Sequence, residues 1–156
     1  MANTTYITKA VEPFLVNWVG EQLGEKLYKK RVELGTGVSG NPVRFEFDGV
    51  NEPKTIGVLA SASKSMKPGA VRKLVADAAI LLASKFEKRV MVFSYHSVKT
   101  NFENQFRGVL DLERIDFMVH PGLPEPMQAT LELIHSAASN EQLSKSDKTK
   151  PSRHRR

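Results

Sequence analysis

The chain reads as an α/β domain whose mixed sheet combines an antiparallel three-strand meander with a parallel crossover, helices packing against its faces. Three observations predict this. Short turn-rich breaks separate three strand-like segments between residues 26 and 60, a spacing that suits hairpins. A long amphipathic segment then intervenes before the next apolar strand, as a parallel crossover requires. Further helical patterns lie at both ends of this array.

Residues 8–24 form the first helix, with Ala10, Val11, Phe14, Leu15, Trp18, Val19 and Leu23 on a broad apolar face. Pro13 has no N–H to donate, so the helix is expected to start near Glu12, with Pro13 in its first turn. Residues 26–34 read as a strand, with Tyr28 and Val32 among basic neighbours. Gly35-Thr-Gly-Val-Ser-Gly40 is turn chemistry. Val43, Phe45 and Phe47 then alternate with Arg44, Glu46 and Asp48, the pattern of a strand with one apolar face. After a second turn at 49–54, residues 55–60 are nearly all apolar and predict a strand buried on both faces.

A polar, basic loop at 61–68 leads into the clearest helix, 69–85, whose core stripe is Val71, Leu74, Val75, Ala78, Leu81 and Leu82. Residues 89–94 read as a central strand, 101–110 as a shorter helix and 114–119 as another strand. A last helix, 125–138, follows Pro121 and Pro124. Beyond Asn140 the chain is too polar and charged to order itself. The expected organisation is therefore one domain over 1–139 and a disordered basic tail over 140–156.

A chain of 156 residues, 40% apolar and 26% charged, can bury a core without staples. It contains no cysteine, which excludes disulfides, thiolate zinc sites and a cysteine nucleophile, and suits a reducing cytoplasm. The opening Met1-Ala-Asn-Thr-Thr-Tyr6 lacks a basic stretch leading into an apolar core. Apolar runs such as 78–83 fall far short of the ~20 residues that span a bilayer. A soluble, cytoplasmic protein without membrane contact is expected. Most of the formal +6 charge lies beyond residue 139, where Lys145, Lys148, Lys150, Arg153, Arg155 and Arg156 face only Glu141 and Asp147. The tail could add salt-sensitive affinity for nucleic acid, but it has no aromatic residue for stacking on bases.

Gly35 to Gly40 matches the dinucleotide fingerprint G-x-G-x-x-G letter for letter. However, Asn41-Pro42 and an alternating strand follow it instead of the helix that would meet a pyrophosphate, so a hairpin is expected. The four histidines, His96, His120, His135 and His154, show no metal-binding spacing, although His96 and His120 each follow a predicted strand. Lys64, Lys67, Arg72 and Lys73 gather around the loop and first turn of the strong helix and are the candidates for gripping a phosphate.

The helix–meander–crossover order, with Phe45-Glu-Phe-Asp48-Gly49-Val50, resembles the PD-(D/E)XK nuclease superfamily and its restriction-endonuclease-like fold, over roughly residues 12–119. The resemblance implies an aspartate ending the second strand, an acidic residue and a lysine two positions apart on the next strand, and a glutamate on the N-terminal helix. There, carboxylates hold divalent metal and the lysine orients or activates water. Asp48 fits the aspartate and the metal ligand, and Glu21 or Glu12 the helix glutamate. Val58 and Ala60 stand where the acid and the lysine belong. Lys64 or Lys67 could swing in from the loop, and Asp77 could replace the missing carboxylate.

The catalytic set expected from this resemblance is Asp48, Glu21 and Lys64, with Asp48 on magnesium if catalysis survives. Three readings remain open: a catalytically degenerate nuclease-like domain binding DNA, RNA or a nucleic-acid-associated partner, a metal-dependent nuclease with a rearranged site, and a protein-interaction or homo-oligomerisation module.

Overall fold

Pro13 shapes the start of the chain. Its ring crowds the carbonyl four residues back, and it offers no N–H, so an α-helix cannot pass through it undisturbed. In the computed structural model, which describes residues 4–137, the helix widens just before it. A short α1 (Thr4–Tyr6) passes through a π-helical turn (Ile7–Val11) into α2 (Glu12–Leu23). The Glu12 N–H donates to Ile7 O, five residues back. Pro13 thus falls in the first turn of α2, as expected. The helix ends at Gly24, whose φ of +67° gives the left-handed cap.

Two antiparallel strands follow, β1 (Tyr28–Thr36) and β2 (Pro42–Val50), then β3 (Ile56–Ser61). In the first turn the Gly37 N–H donates to Asn41 O and the Gly40 N–H to Gly37 O. The glycine motif is therefore a hairpin tip, with Val38 exposed at its apex. The second turn is held by buried Asn51. Its Oδ1 accepts the Thr55 and Ile56 N–H groups at 2.9 Å each, and its Nδ2 donates to Thr55 Oγ1 at 2.8 Å.

The crossover helix α3 (Pro68–Ala83) leads to β4 (Lys88–Phe93), α4 (His96–Phe106), a 3-10 turn (Leu112–Arg114) and β5 (Asp116–Val119), and residues 125–137 form α5. Helix α4 begins earlier than the 101–110 expected. Its buried residues Val98 and Phe102, with Phe106, are spaced by four, and Gly108 at φ +94° follows its end. The tail over 140–156 lies outside the described residues.

The sheet order is β1-β2-β3-β4-β5. The first two pairings are antiparallel and the last two parallel, so the expected meander and crossover both occur. Alternate residues of the central strands feed two cores. Leu59, Met91 and Phe93 pack with Leu74, Ala78 and Leu81 of α3 and Val98 and Phe102 of α4. On the other face, Val58, Ala60, Val90 and Val92 pack with Leu15, Val16 and Val19 of α2 and Leu131 of α5. Every residue of β3 is buried, in keeping with its near-continuous apolar sequence.

The pairing of β1 with β2 is irregular beside Asp48. Tyr28 pairs with Val50 but Lys30 with Phe47, so Lys29 alone faces two residues, Asp48 and Gly49. This bulge lets Phe47 and Val50 enter the same core and turns the residues between them away from it. Further along the hairpin, Arg31 lies opposite Glu46 and Glu33 opposite Arg44, a ladder of opposite charges.

Asn51→Ala should lower stability by about 1–3 kcal/mol, because two backbone donors at the second turn lose their acceptor. Urea unfolding followed by circular dichroism checks this, and an unchanged midpoint would show that the turn does not depend on the side chain.

Candidate functional site

Strands β2 and β3 pair only at Gly49–Val58 and Val50–Gly57. Beyond these pairs β3 runs on to Ser61 beside β4, and side chains take over its other edge. The Ala60 N–H donates to Asp48 Oδ2 at 2.8 Å, and the Ala60 carbonyl accepts from Lys73 Nζ at 3.0 Å. Lys73 Nζ also donates to Asp77 Oδ2 at 2.8 Å, one helical turn along α3. A carboxylate from β2 and an ion pair from α3 thus meet at one residue of β3.

Glu12 approaches from α2. Val16, one turn further along that helix, lies where a side chain at Gly49 would have to go: a Cβ there would stand 2.6 Å from Val16 Cγ1 and 3.2 Å from Leu27 Cβ. Glycine beside Asp48 is therefore what lets α2 lie directly on β2. The contact creates a cavity of about 110 Å3 lined by Glu12, Pro13, Val16, Asn17, Leu27, Lys29 and Asp48. At roughly 30 Å3 per water, it is large enough for a few water molecules or a hydrated ion.

The electrostatics follow from burying several charges together. Glu12 is 9% exposed. Burial first, then the nearby Asp48 carboxylate, raise its pKa from 4.5 to about 7 against the opposing pull of Lys73 and Lys29. Burial also raises Asp48, partly offset by the Ala60 N–H and by Lys73, and it raises Asp77 against the pull of Lys73. For Lys73, burial opposes the charge. Asp77, Glu12 and Asp48 more than compensate, so its pKa lies above the ordinary value and it stays an ammonium.

The sequence-predicted residues separate on this frame. Asp48 is central, and its carboxylate bonds across the fork and takes no part in the turn of 51–55. Glu21 is exposed, in a groove with Gly24, Glu25 and Lys26. On α2 it is Glu12 that lies beside Asp48, because nine residues at 100° each put the two glutamates on opposite sides of the helix. Lys64 also lies elsewhere, its ammonium 3.9 Å from Glu132 of α5, and the lysine that reaches Ala60 and Asp77 is Lys73. Lys67 is the N-cap of α3 and Arg72 is exposed on that helix, and of the four basic candidates it is Lys73 that bonds to Ala60. Lys29 entered no sequence-based set, yet it lines the cavity. Its only sequence signal is a basic residue at the start of a strand, and the bulge that aims it appears only in the pairing.

Among the described residues, the histidines stand apart from this cluster. His120 packs against Phe14 and Trp18, with ring centroids 5.1 and 5.0 Å away, and burial lowers its pKa. Among the described residues, no three histidine, cysteine, aspartate or glutamate side chains gather closely enough to hold a metal ion. Also among them, no helix is long and apolar enough to cross a membrane.

Compared with family models, curated proteins and solved structures, the chain matches none.

Glu12 supplies a prediction with a definite sign. Its pKa is higher folded than unfolded, so between about pH 4.5 and 7 the native state holds more protons and stability falls as pH rises. Glu12→Gln should therefore stabilise the protein at pH 8, by roughly 1–3 kcal/mol, and the gain should fade towards pH 4.5. Denaturant unfolding of both proteins across this range measures it. A variant less stable than wild type at pH 8 would mean that the Glu12 charge is not a burden.

Proposed function

We propose that this chain is a restriction-endonuclease-like domain directed at the phosphodiester backbone of DNA or RNA, with a rearranged hydrolytic site in the fork between β2 and β3. One observation carries the reading. Asp77 and Lys73, one turn apart on α3, bring a carboxylate and an ammonium to Ala60, the strand position where the resemblance calls for a lysine. The neighbouring helix thus offers the two groups that β3 lacks.

Glu12 and Asp48 suit a magnesium ion held by two carboxylates and completed by water and phosphate. They line one cavity, and a cation there would offset the burial that raises both pKa values and the Asp48 repulsion that adds to the rise at Glu12. A bound ion of this kind supplies Lewis acidity and a more acidic water. Lys73 keeps its proton, so its part is to hold an anionic oxygen or orient water by donating hydrogen bonds, not to act as a base. Asp77 fixes the Lys73 ammonium through the 2.8 Å bond.

A specific observation favours the second reading, a binding domain without hydrolysis. Asp48 and Asp77 each already have one oxygen bonded within the protein, and Lys73 supplies an internal counter-charge at Ala60. In this reading Lys64, Lys67 and Arg72 meet phosphate and the fork is a relic held together by Lys73.

Labelled single- and double-stranded DNA and RNA, incubated with magnesium or manganese at two salt concentrations, separate the two. Hydrolysis should depend on metal and fall roughly 100-fold or more in Asp48→Ala, the scale for losing one electrostatic group in a site. Salt-sensitive binding without cleavage selects the second reading. Neither binding nor cleavage would remove both and leave a protein-interaction module.

A further inference from the structure

We infer that Lys29 is a phosphate contact of this site, so that the nucleic-acid backbone approaches through the mouth between α2 and the edge strand β1. The inference rests on the nucleic-acid reading and adds the side of approach.

Lys29 is placed by the bulge. It is the single β1 residue set against Asp48 and Gly49, and it lines the cavity with Glu12 and Asp48. The carboxylate pair therefore has two ammonium groups acting on it, Lys73 and Lys29, and both lower the carboxyl pKa values. The two lysines differ in how firmly they are held. Lys73 is bonded at 2.8 and 3.0 Å to a carboxylate and a carbonyl, so it has little freedom to follow a ligand.

Lys29 has a looser partner. Its ammonium lies 3.8 Å from Glu46, and the two side chains are 47% and 56% exposed. An ion pair that open to water contributes little, so it costs little to exchange Glu46 for a phosphate. The rest of the hairpin gives less room for this role, because Arg31 and Arg44 already face Glu46 and Glu33 across the strands. Nor does a strand lie beyond β1 in the described sheet to close the approach. A carboxylate-rich cavity repels phosphate unless a positive group stands at its entrance, and Lys29 meets that requirement.

The test measures binding of labelled double-stranded DNA and its separated strand by the full chain, Lys29→Gln and Lys29→Arg. Fluorescence anisotropy is recorded over a salt series with calcium in place of magnesium. Lys29→Gln should bind roughly 3- to 10-fold more weakly at low salt. The slope of log affinity against log salt should shrink by about 0.9 for the duplex, or about 0.7 for the single strand, the loss of one phosphate contact. Lys29→Arg should keep the wild-type slope. A lysine that merely offsets Glu12 and Asp48 would change the melting temperature in Lys29→Gln and leave the slope alone. Wild-type binding with an unchanged Lys29→Gln slope overturns the inference by itself, whereas absence of wild-type binding overturns the nucleic-acid reading and this inference with it.

Discussion

The hydrogen-bonding demand of Ala60 organises this protein. A buried backbone N–H and carbonyl must find partners. On the side where β2 has turned away, Ala60 finds them in Asp48 and Lys73. The sheet can open between β2 and β3 because these side chains satisfy the edge of β3. Their charges then require others: Lys73 is matched by Asp77, and Asp48 brings Glu12 under its influence. A gap in a strand pairing has become a cluster of four ionisable groups, with Glu12 and Asp77 buried, Asp48 half-buried and Lys73 open to solvent on one side.

Local departures from regular structure position that cluster. A π-helical turn absorbs Pro13 and delivers Glu12 at the start of α2. Gly49 lets the helix approach, and the bulge turns Asp48 and Gly49 out of the core shared by Phe47 and Val50. Burying carboxylates this way works against stability, since desolvation leads the causes that raise all three. Buried, mutually perturbed ionisable groups of this kind are enriched at functional sites, where chemistry and not folding keeps them.

The sheet was legible in the sequence because its signals are local. Alternation marks Val43 to Asp48, continuous apolarity marks β3, and a period near four marks α3. Asp48 was singled out by the resemblance, as the aspartate that ends the second strand, and no local pattern sets it apart from Arg44 and Glu46 on the same polar face. Glu12 and Glu21 were harder to separate, because both sit on one helix and the choice depends on which side of it meets β2. Lys73 and Asp77 carried only the spacing of an i,i+4 pair, common on any helix surface. Their reach to Ala60 depends on where β2 leaves β3, a tertiary fact without a local signature. Lys29 was hidden for the same reason: a one-residue bulge changes which residues face one another, and alternation alone continues past it.

The two outer strands of the sheet differ in length and charge, and this bears on how the molecule avoids its own kind. An exposed strand edge is a template for adding another chain. At one end β5 offers only Asp116–Val119, too short to recruit much. At the other, β1 is long but carries Lys29-Lys30-Arg31 in succession. Two copies of such an edge would bring like charges together, so end-to-end growth of sheets, the route into fibrous aggregates, is discouraged on both flanks. The basic strand that frames the cavity thus also guards the longer edge of the sheet against pairing with a second copy.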